Sequence, residues 1–178
     1  MLVANARMYT VTQATGPHWR ALLAHIGTVA GMDMAWVDHA WPAPLAALWA
    51  RPDLGCAFMC GWPFITQGAR HAAIAVPVPD APGSDGRPQY RAAFVVAAGA
   101  PYRRLEDTFG HRFAYNQLDS HSGWNMPRAH LARFAARTPL FAALVGPTES
   151  HRRSIELVAE GAAEIAAIDS WWLHLLGR

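Results

Sequence analysis

Asp119-Ser-His-Ser-Gly-Trp-Asn-Met-Pro-Arg128 gathers two hydroxyls, an imidazole and a glycine between a strand-like run (112–118) and a helix-like run (124–137). A helix start leaves backbone N–H groups without partners and carries the positive end of the helix dipole. Ser120 and Ser122 add hydroxyl donors, His121 lies between them, and Gly123 lets a ligand approach the backbone. This set suits a small oxyanion such as phosphate, phosphonate or a carboxylate. Ser122 also has a plainer reading, as the N-cap of its helix. The residues alone leave both open.

Other chemistry finds less support. The nine histidines show no His-x-x-x-His or similar clustered spacing, so no metal site is expected. Asp38-His39 resembles an acid–base pair, but nothing near it completes a mechanism and a strand-end loop explains it. A nucleophile elbow needs Gly-x-Ser-x-Gly; Ser120 has Leu118 two residues before it and Ser122 has Gly123 directly after, so neither fits. Cys56 and Cys60, the only cysteines, fall in one apolar strand-like run. Positions four apart in a strand are about 13 Å apart, whereas a disulfide needs Cα atoms within about 7 Å. They read as small core residues, with no redox compartment implied. Asp169 could cap the helix that follows, as could Ser170, or face a ligand. Trp171 and Trp172 read as core or interface residues.

The elements that must hold these groups alternate between short apolar runs and amphipathic ones, the pattern of an α/β fold. Strands are expected at 2–11, 34–37, 55–61, 72–78, 90–98, 112–118, 140–145 and 163–168. Helices are expected at 17–30, 43–51, 105–109, 124–137, 149–160 and 171–176, the first presenting Trp19, Leu22, Leu23 and Ile26 on one face. Pro79 to Pro88, with its prolines and glycines, must be a loop. The pattern restarts after it, which divides the chain into lobes at 1–89 and 90–178. In open α/β sheets ligands bind at the carboxyl ends of strands, where the serine loop lies.

With 178 residues, 52% hydrophobic and 16% charged, the chain can bury a core and is not a disordered segment. All 15 basic residues are arginine, which reads as coding bias. A net charge of +2 and scattered arginines give no nucleic-acid footprint. No apolar run reaches the roughly 18 residues of a membrane span, and the N-terminus does not read as a secretory signal.

Several runs carry a family resemblance: Ala6-Arg-Met-Tyr-Thr10, Cys56-Ala-Phe-Met-Cys-Gly61, Leu105-Glu-Asp-Thr-Phe-Gly110, Asp119 to Arg128, and Ala167-Ile-Asp-Ser170. In this order they resemble the phosphate/phosphite/phosphonate-binding proteins of ABC transporters, over nearly the whole chain. The resemblance implies the two-lobed type II periplasmic binding fold, each lobe a mixed sheet flanked by helices, closing on an oxyanion without chemistry or cofactor. Carried onto this sequence, Ser120, His121, Ser122 and Gly123 form the helix-start seat, Tyr9 contributes from the opposite lobe, and Trp62 stands at a cleft wall. Asp169 matches an acidic position that meets a ligand amine or lines the hinge. The implied partner is a transporter permease, and the implied location is the periplasm.

Two departures accompany the resemblance. Family members continue further at the C-terminus, so the first lobe is expected to be incomplete or covered by a homodimer. No export signal is present, which would make the protein cytoplasmic if this N-terminus is genuine. Two other readings stay open: a cytoplasmic enzyme on the same fold, acting on a phosphorylated or carboxylated metabolite, and a shortened paralogue that binds nothing.

Overall fold

Leu2–Asn5 forms β1, the central strand of a parallel sheet in the order β2-β1-β3, with β2 at Met34–Trp36 and β3 at Leu54–Ala57. The computed structural model describes residues 1–67, 70–135 and 139–177. β1 stops at Asn5 rather than running to Val11 because the Asn5 carboxamide accepts from the Arg7 amide (2.7 Å) and starts a 3-10 turn at Arg7–Tyr9. α1 (Thr15–Ala30) lays Leu23 against Ala4 and Ala6, with Trp19, Ile26, Met34, Trp36, Cys56 and Phe58 around them. α2 (Leu45–Trp49) buries Leu48 and Trp49, and the Trp49 indole N–H donates to the Phe58 carbonyl (2.9 Å). This is the first compact unit, Met1–Met59 with Leu175–Arg178.

The second unit, Cys60–His174, opens with α3 (Gly61–Thr66). Its sheet has the order β4-β7-β5-β6, from Ala92–Val96, Ile165–Asp169, Arg112–Ala114 and Ala143–Val145. β4 runs antiparallel to β7, while β5 runs parallel to both β7 and β6. β7 is buried along its whole length, as expected of a central strand of Ile and Ala. Phe113, Ile165 and Ala167 form the core, with Phe94, Leu105, Tyr115, Trp124 and Phe141 against it. Arg112 braces β5 to the start of β7 by pairing with Glu164 (2.6 Å), which holds that carboxyl near 2.

Helices α4 (Met126–Leu131), α5 (His151–Ala159) and α6 (Ser170–Leu176) complete the fold. The helix expected over 124–137 starts earlier, as a π-helical turn at His121–Asn125, and α4 ends at Leu131; its expected end at Arg137 lies outside the described residues. The run 105–109 is a 3-10 turn at Leu105–Thr108.

One expectation needs correction. Residues 72–78 form no strand: the run is irregular and exposed throughout, because among the described residues no strand pairs with it and Pro77 and Pro79 lack N–H donors. By contact the chain groups into Met1–Met59 with Leu175–Arg178 and Cys60–His174, with α3 packed against the serine turn.

Candidate functional site

β5, β6 and β7 are parallel, so their carboxyl ends share one edge of the second sheet. Beyond β5 the chain reaches the serine turn, beyond β6 the start of α5, and β7 ends on Asp169. The serine turn is one residue wider than an α-helical turn. Its Asn125 amide donates to the Ser120 carbonyl (3.0 Å), and the Asn125 carboxamide donates to that same oxygen (2.9 Å) and to the Leu118 carbonyl (3.3 Å).

Ser120 is the N-cap: its buried Oγ accepts from the Gly123 amide at 3.0 Å. The capping role considered for Ser122 therefore falls to Ser120. The Ser122 hydroxyl, 2% exposed, instead stands 3.1 Å from His151 Nε2. Among the described residues, the amides of Ser122 and Trp124 donate to no backbone acceptor outside the turn. They are the open donors of this helix start.

His151 is the first residue of α5, capped by Ser150, whose Oγ accepts from the Arg153 amide (3.0 Å). Its ring meets Trp172 edge-on at 5.9 Å, and burial pushes its pKa down to about 4. Nδ1 is buried and has no partner among the described residues. A neutral ring carries one proton, and an orphaned buried N–H is the rarer fault. We therefore assign the proton to Nε2, donated to Ser122 Oγ, so that the serine keeps its own proton for a ligand. The spacing is also that of a nucleophile and its base. A base near 4 accepts protons poorly at neutral pH, and among the described residues no third group orients Nδ1.

His121 sits half-buried at the start of the turn, edge-on to Tyr90 at 6.3 Å, and burial lowers its pKa. Burial thus disfavours the charged form of both imidazoles, which leaves the amide and hydroxyl dipoles of the turn to act on an anion. Burial pushes the Cys60 thiol up to about 12, against the pull of the His121 amide beside it. Burial also raises the Tyr90 phenol, with the neighbouring Cys60 and Asp169 adding to the effect. Gly123 does not face open space: a Cβ there would stand 1.9 Å from Asn116 Oδ1. That carboxamide oxygen is buried and has no hydrogen-bond partner among the described residues.

Trp62 lies 40% exposed on α3, the helix packed against the turn. A Cβ on its neighbour Gly61 would come 3.9 Å from His121 Cδ2. Asp169 is 3% exposed and caps α6, its Oδ1 accepting from the Trp171 (2.8 Å) and Trp172 (3.1 Å) amides. Asp169→Ala should therefore cost about 1–3 kcal/mol of stability, read from the urea midpoint; an unmoved midpoint would show that the cap carries no weight. The second unit thus gathers Ser120, His121, Ser122 and Gly123 in one turn, with Trp62 and Asp169 on other elements of the same unit. Tyr9 belongs to the first unit, where it is buried and its ring meets Phe58 at 5.1 Å and Trp19 at 6.4 Å.

His151, Tyr90 and Asn116 were not singled out from the sequence. A signal for His151 existed: an apolar strand at 140–145 followed by Thr148, Ser150 and a helix is a second strand-to-helix passage like that of the serine loop.

Over residues 13–177 the sequence matches the family described as ABC transporter, phosphonate, periplasmic substrate-binding protein. Among solved structures, the chain superposes on PhnD1 from Prochlorococcus marinus, determined in complex with methylphosphonate, with a TM-score of 0.70 at 16% identity. That match covers 97% of this chain and 65% of the other. XAC2383 from Xanthomonas citri, determined bound to ATP, gives a TM-score of 0.53 at 16% identity, covering 94% of this chain and 63% of the other. At such identities the likeness concerns fold alone, and the chain spans less than two thirds of either structure. No curated protein matches the chain.

Proposed function

The chain belongs to the family of periplasmic phosphonate substrate-binding proteins of ABC transporters, and on that premise we propose that it captures a small phosphorus oxyanion at the Ser120–Trp124 turn. The observation that carries the reading is the buried Ser122 hydroxyl set by His151 (3.1 Å), beside the open amides of Ser122 and Trp124. Charge-assisted hydrogen bonds of this kind contribute about 1.5–3 kcal/mol each, enough for a few to give micromolar affinity. An oxyanion is tolerated there without a formal positive charge because amide and hydroxyl dipoles converge on it. The protein's place in this reading is the periplasm, and its partner a transporter permease. Capture without turnover is its task in this reading, since a serine–histidine contact with a base near 4 and, among the described residues, no orienting third group is poorly suited to nucleophilic chemistry.

Calorimetric titration with methylphosphonate, phosphate, phosphite, 2-aminoethylphosphonate and sulfate tests this. Micromolar or tighter binding of a phosphorus compound, unchanged by EDTA and without turnover, is expected. Silence across the panel from folded protein would overturn the reading.

A further inference from the structure

We propose that Asn116 is a further ligand-contacting residue, its carboxamide NH2 group donating to the oxyanion held at the serine turn. The inference rests on the ligand reading above and adds to it a donor from outside the turn. Asn116 lies just beyond β5, where the chain is fixed by the loop that leads into α5. The Tyr115 amide donates to the Val145 carbonyl (3.0 Å), the Thr148 amide to the Tyr115 carbonyl (3.1 Å) and the Glu149 amide to the Asn116 carbonyl (3.0 Å). The Gln117 carboxamide donates to the Glu149 carboxyl. A Cβ on Gly146 would stand 2.4 Å from the Tyr115 oxygen, so the two segments run in close contact. The backbone on both sides of Asn116 is therefore held by the same loop that presents His151 to Ser122.

From that fixed backbone the side chain reaches the middle of the turn. The point where a Gly123 Cβ would sit is 1.9 Å from Asn116 Oδ1, 2.7 Å from its Cγ and 3.1 Å from Ser120 Oγ. The carboxamide thus lies against the one turn residue that has no side chain, between the cap and the amides of Ser122 and Trp124. Filling that space needs no polar group. An apolar side chain would fill it without burying Oδ1, which has no hydrogen-bond partner among the described residues. An unpaired buried oxygen costs free energy, so a carboxamide kept there calls for a use of its other end. Oxygen inward is the better orientation, because an orphaned buried N–H is the rarer fault. Nδ2 then carries the free donors: it makes no hydrogen bond among the described residues and, unlike Oδ1, is not closed off. A phosphonate presents three oxygens, so a side-chain donor beside the two amides and the Ser122 hydroxyl still finds an acceptor. A carboxylate, with two, uses such a set less fully.

Side-chain amide resonances of the isotope-labelled native chain, titrated with methylphosphonate, test the contact and need no variant to fold. The Asn116 NH2 pair, assigned through its bonds, should move downfield and saturate together with the Ser122 and Trp124 amides. By calorimetry, Asn116→Ala should weaken methylphosphonate binding about 10- to 100-fold, as expected for one hydrogen bond to a charged group. Asn116→Asp keeps the shape but puts a carboxylate oxygen where the donor was, and should weaken binding further. A residue that only fills the space over Gly123 would leave the NH2 pair unmoved, and Asn116→Asp, equal in size and folded by circular dichroism, would keep native affinity. Either of those results, in protein whose Ser122 and Trp124 amides still respond to methylphosphonate, would overturn this inference and leave the ligand reading standing. A native chain that binds no methylphosphonate would overturn both.

Discussion

Replacing Ser120 and Ser122 together by alanine should weaken methylphosphonate binding about 100-fold or more, because a hydrogen bond to a charged group is worth about 1.5–3 kcal/mol. In the proposed site Ser122 would supply such a bond directly: His151 occupies one side of its oxygen at 3.1 Å, which would leave the hydroxyl proton for the ligand. Ser120 acts through the backbone, holding the Gly123 amide at 3.0 Å and with it the shape of the turn. The stability loss should be far smaller, about 1–3 kcal/mol, from a lost cap and a stranded His151 nitrogen. Calorimetry and urea unfolding on the same preparation separate the two effects. Retained affinity in a folded variant would place the ligand elsewhere.

Acidification supplies the second large effect. His151 titrates near 6.5 when unfolded and is held to about 4 by burial in the fold. Below pH 6.5 the unfolded chain takes up a proton that the native chain refuses, so stability falls with pH and the loss completes near pH 4. The gap of roughly two and a half units corresponds to about 3 kcal/mol. His121 shifts in the same direction. Glu164, held near 2 by its Arg112 partner, contributes only below its ordinary value of 4.5. The interval from pH 6.5 to 4.5 therefore reports chiefly on the histidines. His151→Gln should lose most of the slope of unfolding free energy across that interval; an unchanged slope would mean that His151 does not titrate as its burial requires.

Much of this was legible before any coordinates. α1 was readable because Trp19, Leu23 and Ile26 recur at helical spacing and do meet the first core, although Leu22 on the same expected face is 42% exposed. β7 was readable because a central strand needs an unbroken apolar run. The serine turn was readable as a helix start from local chemistry, and the family read from scattered motifs is the one whose description matches residues 13–177. Pairing was not legible. Residues 72–78 have the composition of a strand, but a strand exists only where another lies beside it, which is a long-range fact. His151 escaped for the same reason: it meets Ser122 across 29 residues of chain, through two strand ends that parallel pairing brings to one edge. Gly123 was read as an opening for ligand, whereas its missing Cβ makes room for Asn116.

The central claim is that the oxyanion sits on the open amides of the serine turn, and amide chemical shifts of isotope-labelled protein titrated with methylphosphonate test it most directly. The account predicts saturable downfield shifts of the Ser122 and Trp124 N–H resonances, the largest in the spectrum, as these protons acquire a charged acceptor. Saturable binding with those two resonances unmoved would contradict it.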